Sequence, residues 1–375
     1  MTLIYAPATS VERIVRWHPV SEHRKVMRCD PPCVLGGKWD CNKTPFAATA
    51  LPMAIRDVVV NGVKKWQETE YFKLQMACIT NGKSFPRGCT TREQLLRWCG
   101  EIEKLYHVIE TDGYKTQEQL GNGGSLDDIR IGIGRHGGLV FLDGRHRLSI
   151  AQCLGLKIPM RVVVRHKRWD AFRKKVEKNG AQRRRGRIYQ RIDHPDLRDI
   201  PYVHGDERWA AILPHIRGAS GPALDIGAHW GHYSQQLSKL GIDTLAVEKS
   251  KSCCRFAEKV AKFPGSHFEV MRGDFCDVEH PERFKLVFAL NIFHHLHKTE
   301  EGYNRLDKFL RKLRPEVMIF ESHVKLPKGQ GQMANAYSNL APRDFAQWVG
   351  QRVGLGSIER IGQAADARLL FKLSK

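Results

Sequence analysis

Acidic side chains are scarce in this chain of 375 residues: 40 Asp and Glu stand against 61 Lys and Arg, a formal net charge of +21. So large an excess brings nucleic acid and polyanionic substrates into consideration as partners. Long apolar runs are missing too. No stretch of eighteen or more apolar residues occurs, so no membrane-spanning helix is expected. The opening Met1-Thr-Leu-Ile-Tyr-Ala-Pro7 is too short for the apolar core of a secretory signal. The ten cysteines lack paired spacing, which points to reduced thiols in a cytoplasm. Cys29, Cys33 and Cys41, with His23 nearby, form a metal-like grouping without a second ligand pair of the right type, so no metal site is expected. Internal repeats and low-complexity tracts are absent. What remains, 42% hydrophobic and 27% charged, is a globular composition, and a prior of about 150 residues per domain suggests two or three domains.

Much of the positive charge lies between Arg165 and Arg191, in Lys167, Arg168, Arg173, Lys174, Lys175, Arg183, Arg184, Arg185 and Arg187. The favoured reading is a solvated basic helix running into a linker, with Asn179-Gly180 and Gly186 as breakers. Beyond Trp169 and Tyr189 no interleaved aromatics offer stacking platforms for single strands. The alternative is recruitment to nucleic acid through this stretch. The expected organisation is an N-terminal domain over 1–178, a basic linker over 179–204, and a second domain over 205–375.

The most informative segment is Ala223-Leu-Asp225-Ile-Gly227-Ala-His-Trp-Gly231-His-Tyr-Ser234. A strand ends near Asp225, two glycines bracket a tight turn, and a helix follows from about His232. A second apolar run, Thr244-Leu-Ala-Val-Glu248, ends in an acid. Strand, glycine turn, helix and strand with a terminal acid make the nucleotide half of an open α/β sheet, the acid serving ribose hydroxyls. The third glycine of the dinucleotide pattern is missing, so a nucleoside ligand without phosphate suits the turn better than a pyrophosphate. Arg272-Gly-Asp274-Phe275 follows a third predicted strand, and Leu290-Asn291-Ile-Phe-His294-His295-Leu296 a fourth. A fifth strand is expected over 316–322, and two late ones near 357–362 and 368–373.

Over about 205–375 these four motifs in order resemble class I S-adenosylmethionine-dependent methyltransferases. The resemblance implies a Rossmann-like sheet and S-adenosyl-L-methionine as cofactor. Asp225 would serve the cofactor's amino group, Glu248 its ribose and Asp274 its adenine, with Gly227 and Gly231 allowing close backbone approach. Asn291, His294 and His295 lie where open α/β sheets present substrate, and a neutral histidine there can take a proton from an acceptor. They are the candidate catalytic residues, with Glu321 and His323 as weaker ones; a histidine that only shapes the pocket is the plainer alternative. The chain lacks an Asn/Asp-Pro-Pro-Tyr/Phe motif and a Pro-Cys nucleophile after strand four. DNA base methylation therefore loses support, and a small-molecule or glycan acceptor gains it.

In the first half, apolar runs around Ile129–Ile133 and Leu139–Asp143 flank a glycine-rich turn and predict a hairpin. Gly144-Arg145-His146-Arg147 opens a helix ending near Gly155, and residues 158–164 predict a strand. A helix N-terminus carrying glycine, His and Arg after a buried strand offers free N–H groups and cations to a phosphate. The stretch Asp143-Gly-Arg-His-Arg147 resembles the phosphate-binding box of ParB N-terminal domains and sulfiredoxin, a likeness covering about 100–166. It implies an α+β domain in which Asp143, Gly144, Arg145, His146 and Arg147 bind ATP or CTP with Mg2+, and some relatives are small-molecule kinases. Arg145 stands where sulfiredoxin has its reactive Cys, and no helix-turn-helix follows, so neither sulfinic-acid reduction nor chromosome partitioning is expected. The plainer reading is that His146 and Arg147 cap a helix and pair with Asp127 or Asp128. A helix is predicted from Thr91 through Tyr106, with Thr90 or Thr91 as N-cap and Leu95, Leu96, Trp98, Cys99, Ile102 and Leu105 on its apolar face. The fusion suggests a mechanism: the first domain phosphorylates an acceptor, and the second methylates the product.

Overall fold

A computed structural model describes residues 2–15, 26, 29–41, 44–82, 88–121, 128–183, 186–324, 333, 335–364 and 367–375. His23, Asp127, Arg184 and Arg185 and the side chain of Arg183 lie outside them. The chain divides into two compact units, Met1–Lys175 and Val176–Lys375.

The first unit is built on a sheet of β1 (Leu3–Pro7), β2 (Val11–Ile14), β3 (Cys33–Leu35), β4 (Arg130–Ile133), β5 (Leu139–Asp143) and β6 (Lys157–His166). Its order is β1-β6-β4-β5-β2, with β3 also on β6. The predicted hairpin is present: β4 and β5 pair antiparallel. Helices α1 (Ala50–Ile55), α2 (Glu70–Thr80), α3 (Arg92–Asp112) and α4 (Arg145–Cys153) share an apolar core made by Leu51, Phe72, Leu95, Cys99, Ile102 and Ile150 among others. Thr91 and Gln94 close a capping box at the start of α3, satisfying two backbone donors. That helix runs a turn and a half beyond Tyr106, to Gly113, whose positive φ stops it.

Helix α5 (Lys167–Arg183) carries the basic run and continues into the segment expected to be a linker. Its apolar stripe, Trp169, Phe172 and Val176, is buried while Lys167, Arg168, Lys174, Lys175 and Lys178 are exposed. Further along that segment, β7 (Ile188–Gln190) and β8 (Tyr202–His204) form a small parallel pair.

The second unit holds α6 (Asp206–Ile216), β9 (Ala223–Ile226), α7 (His232–Lys239), β10 (Thr244–Glu248), α8 (Lys251–Val260), β11 (Glu269–Arg272), β12 (Leu286–Leu290), α9 (Glu300–Leu310), β13 (Val317–Glu321), α10 (Pro342–Val353), β14 (Ser357–Gln363) and β15 (Leu369–Ser374). Its sheet runs β11-β10-β9-β12-β13-β15-β14, parallel except for β15, which is antiparallel to both its neighbours. Alternate residues feed opposite layers. Leu224, Val287, Ala289 and Phe320 join the core under α9 and α10, and Ala223, Leu286, Phe288 and Ile319 join the one under α6 and α7. Burial on both faces is why these strands read as continuous apolar runs. The order reverses between β9 and β12, and at such a switch point the carboxyl ends of the strands leave a crevice.

Candidate functional site

Four groups from separate strands line up along the carboxyl edge of the second sheet. After β9 the chain turns at Gly227 and Gly231, both left-handed at φ 72 and 82. A Cβ at Gly227 would lie 2.9 Å from Ile292 Cδ1, and one at Gly231 2.7 Å from a Phe268 ring carbon. The glycines are therefore demanded by the fold's own packing as well as by any ligand. The Gly227 and Ala228 amides both donate to Val247 O, tying the turn to β10.

Asp225 sits beneath this turn, 3% exposed, and its Oδ2 accepts a 2.6 Å hydrogen bond from Ser234 Oγ on α7. Burial raises its pKa to about 6 against the pull of that hydroxyl. Glu248 closes β10. Its Oε2 accepts the His229 amide at 2.9 Å and its Oε1 the Ser250 amide at 2.7 Å. An ionised carboxylate has about four acceptor positions, so two remain for a pair of hydroxyls. Asp274 follows β11; its Oδ1 accepts the Cys276 amide at 3.1 Å, and Lys249 and Arg305 stand 3.7 and 3.5 Å from Oδ2.

Asn291 follows β12 in a left-handed conformation, φ 57, its amide donating to Glu321 O at 3.3 Å. Its Nδ2 donates to the Tyr189 hydroxyl at 3.4 Å, while its buried Oδ1 has no hydrogen-bond partner among the described residues. The turn Phe293–Lys298 then presents two adjacent histidines in unlike settings. His294 is buried, its ring 4.0 Å from that of His295 and 5.8 Å from that of His323. Burial, followed by the neighbouring His295 and His323, drives its pKa down to about 3. His295 is exposed, and partial desolvation with Lys298 and Arg368 lowers its pKa as well. Both rings are neutral at pH 7. A group with a pKa near 3 is a feeble proton acceptor, and of the two adjacent rings the exposed one is that of His295. Arg368 reaches this edge because Leu369, the next residue, accepts the Ser322 amide at 3.1 Å.

Glu321 belongs to a different device. It ends β13 fully buried, with Arg208 Nη2 of α6 2.8 Å from its Oε1. His323 shares a 3.0 Å hydrogen bond with Asn339 Oδ1 through Nε2. Neither the buried ion pair nor Tyr189 is legible from spacing: Arg208 looks like one more cation of a basic chain, and Ile188-Tyr-Gln190 is too short to show alternation.

In the first unit, residues 143–147 form a strand-to-helix turn with Gly144 at φ 86, where a Cβ would fall 2.9 Å from Ile129 Cα. Asp143 Oδ1 accepts the Gly144 amide at 2.8 Å, and its Oδ2 lies 3.8 Å from Arg130 Nη1. The His146 ring stands edge-on to Trp98 at 5.2 Å, and the Arg145 guanidinium lies 5.9 Å from the Phe141 ring centre. Arg147 reaches the buried Tyr114 phenol, near Asp128. A cavity of about 640 Å³ opens against this turn, with Trp98, Glu101 and Leu105 of α3 on its other wall. That volume suits a small-molecule ligand. Among the described residues no group of three His, Cys, Asp or Glu side chains could hold a metal ion, and no helix is long and apolar enough to cross a membrane.

Residues 223–316 match a family model described as a methyltransferase domain. No curated protein sequence matches the chain. Among solved structures, monomeric WbdD is similar at 20% identity and a TM-score of 0.41, over 50% of this chain and 46% of that one. A structure described as the bifunctional kinase-methyltransferase WbdD gives 18% and 0.42, over 53% and 46%. The PH0226 protein from Pyrococcus horikoshii OT3 gives 17% and 0.34, over 50% and 94%. The chain thus spans less than half the length of the WbdD structures it matches. The matched segment carries the glycine turn, the three acids and the His294–His295 pair, and S-adenosylmethionine is the cofactor such a domain implies.

Proposed function

We propose that the chain is an S-adenosylmethionine-dependent methyltransferase for a small-molecule or glycan acceptor, and that its first unit binds a nucleoside triphosphate and phosphorylates that acceptor. The observation that carries the methyltransferase reading is the file of groups at the switch-point crevice. Gly227 and Gly231, Glu248, Asp274 and Asn291 come from four strands whose carboxyl ends meet there. These residues fit the cofactor. The glycine turn leaves room for backbone approach, Glu248 retains two acceptor positions, and Asn291 Oδ1 offers a buried acceptor. Asp225 acts one layer down, holding α7 to the turn through Ser234.

When bound, the cofactor supplies a methyl group on a positively charged sulfur, which leaves as a neutral thioether once an acceptor lone pair has taken the methyl. The chain's own work is alignment, exclusion of water and proton removal. His295 is placed to take the proton of an acceptor hydroxyl, and His294 fixes its ring. Lys298 and Arg368 beside them favour an acceptor that already bears a negative charge, as a phosphorylated one does.

At the turn 143–147 the α4 N-terminus, Arg145, His146 and Arg147 would hold the triphosphate. Phosphoryl transfer there would pass the terminal phosphoryl group to an acceptor hydroxyl, which gives up its proton, and leave a nucleoside diphosphate. The decisive experiment incubates the full chain with methyl-labelled S-adenosylmethionine and a panel of sugars, glycans and small hydroxyl metabolites, with and without ATP or CTP and Mg2+. Label transfer to one acceptor, increased by the nucleotide, is the expected result. Transfer that ignores the nucleotide removes the kinase half, and label on DNA or RNA alone replaces the acceptor class.

A further inference from the structure

The crevice has a wall that lies outside the matched segment. Tyr189 comes from β7, well upstream of β9, and the stretch that follows is clamped to the sheet's own helix. The Asp193 amide donates to Gln235 Oε1 at 3.1 Å, and Gln235 Nε2 returns a 3.1 Å hydrogen bond to Asp193 O. The Asp193 carboxylate pairs with Lys239 and with Arg191. Burial works against ionisation there, but the Lys239 and Arg191 charges overcome it and bring the pKa down to about 2. Tyr189 is therefore held by structure on both sides, with β8 as its partner strand.

From that position its hydroxyl accepts a hydrogen bond from Asn291, and its ring stands 4.8 Å from His229 and 4.9 Å from His204, edge-on to both. His229 is in the glycine turn after β9, and Asn291 follows β12. These are the two strands between which the sheet order reverses, and both residues are left-handed, at φ 54 and 57. Tyr189 thus spans the switch point. On the reading above, adenine and ribose fall to Asp274 after β11 and Glu248 of β10. Continuing along the edge, the next place is the gap between β9 and β12, where the sulfur would then fall.

We propose that Tyr189 is the positioning residue for the sulfonium end of S-adenosylmethionine, its ring held against the charged sulfur. An aromatic face attracts a cation through its quadrupole, and the attraction grows when the pair is out of water. The product thioether is neutral and loses it. Tyr189 would then favour cofactor over product, holding the one and releasing the other. This assignment rests on the cofactor reading.

The test is calorimetry on the full chain with S-adenosylmethionine and S-adenosylhomocysteine as the two probes. In Tyr189→Ala and Tyr189→Leu the affinity for the charged cofactor should fall about 3- to 30-fold more than that for the neutral product. Tyr189→Phe, which keeps the ring face, should retain the wild-type ratio. The leucine variant preserves bulk, so loss of packing would weaken both ligands alike. An unchanged ratio in variants that still bind overturns the role of Tyr189 and leaves the cofactor assignment standing. Failure of the wild type to bind either ligand overturns both.

Discussion

Glu248 shows how one side chain serves fold and ligand together. Two backbone amides already occupy it, one from the glycine turn and one from the start of α8. Removing it by Glu248→Ala should weaken S-adenosylmethionine binding by roughly tenfold to a hundredfold, the usual worth of a charged hydrogen-bond partner at ~1.5–3 kcal/mol; calorimetry showing equal affinities would dismiss its ribose role. The paired histidines divide by burial. His295→Ala should lose about 10²–10⁴ in turnover while still binding cofactor, and undiminished turnover would leave that ring as a pocket wall. Glu321 is a matter of stability. Truncating it to alanine removes the acid that faces the buried Arg208 charge, and a broken buried pair costs about 3–5 kcal/mol. Denaturant unfolding should show that loss, and a change below ~1 kcal/mol would mean that water reaches Arg208.

At the scale of elements, strand–glycine–helix turns recur in both units. Gly144 before α4 and Gly231 before α7 are left-handed, and each is so close to a neighbour that a Cβ would collide. The first puts the α4 N-terminus and its cations at the edge of a cavity, and the second brings the β9–α7 turn to the crevice. His146→Ala combined with Arg147→Ala should abolish binding of ATP or CTP in Mg2+ and leave S-adenosylmethionine binding intact, because the residues concerned belong to separate units. A titration of the full chain with ATP, CTP and GTP reads the result directly; no saturable binding by the wild type would make the turn purely structural.

For the whole molecule, acid is the informative variable. His232 and His297 are buried neutral, and burial lowers each pKa to about 4. An unfolded histidine titrates near 6.5. As pH falls below that value the unfolded chain gains protons that the folded one refuses, so stability drops, by on the order of 2 kcal/mol per histidine at pH 5. Asp225 acts in the opposite sense: raised to about 6, it takes a proton in the folded state first and offsets part of the loss between pH 6 and 4. Asp193, lowered to about 2, contributes stability that disappears only below about pH 4. Unfolding free energy should therefore decline from pH 7.5 to 5, and His297→Phe, which keeps an aromatic ring among Tyr303, Phe345 and Trp348, should flatten the decline. An identical slope in that variant would place the acid sensitivity elsewhere.

The second unit's sheet was readable because its inner strands β9, β12 and β13 are buried on both faces, and acids or glycines punctuate most of its strand ends. Apolar runs and their punctuation are local properties of a chain, and 223–234, 244–248 and 290–296 carry them in plain order. The glycine turns were legible for the same reason, since positive φ and close packing both demand the residue that has no Cβ. The division between His294 and His295 was not legible, because adjacent residues of one type differ only in what the rest of the fold packs over them. Tyr189, Arg208 with Glu321, and the clamp of Asp193 to Gln235 and Lys239 lay beyond local reading as well. They join positions far apart in sequence, and only the packing of α6, β7 and β8 against the sheet brings them together. Local pattern determined which strands, turns and helices form; burial and long-range pairing decided which side chains keep their charge, which face the crevice and which merely hold it.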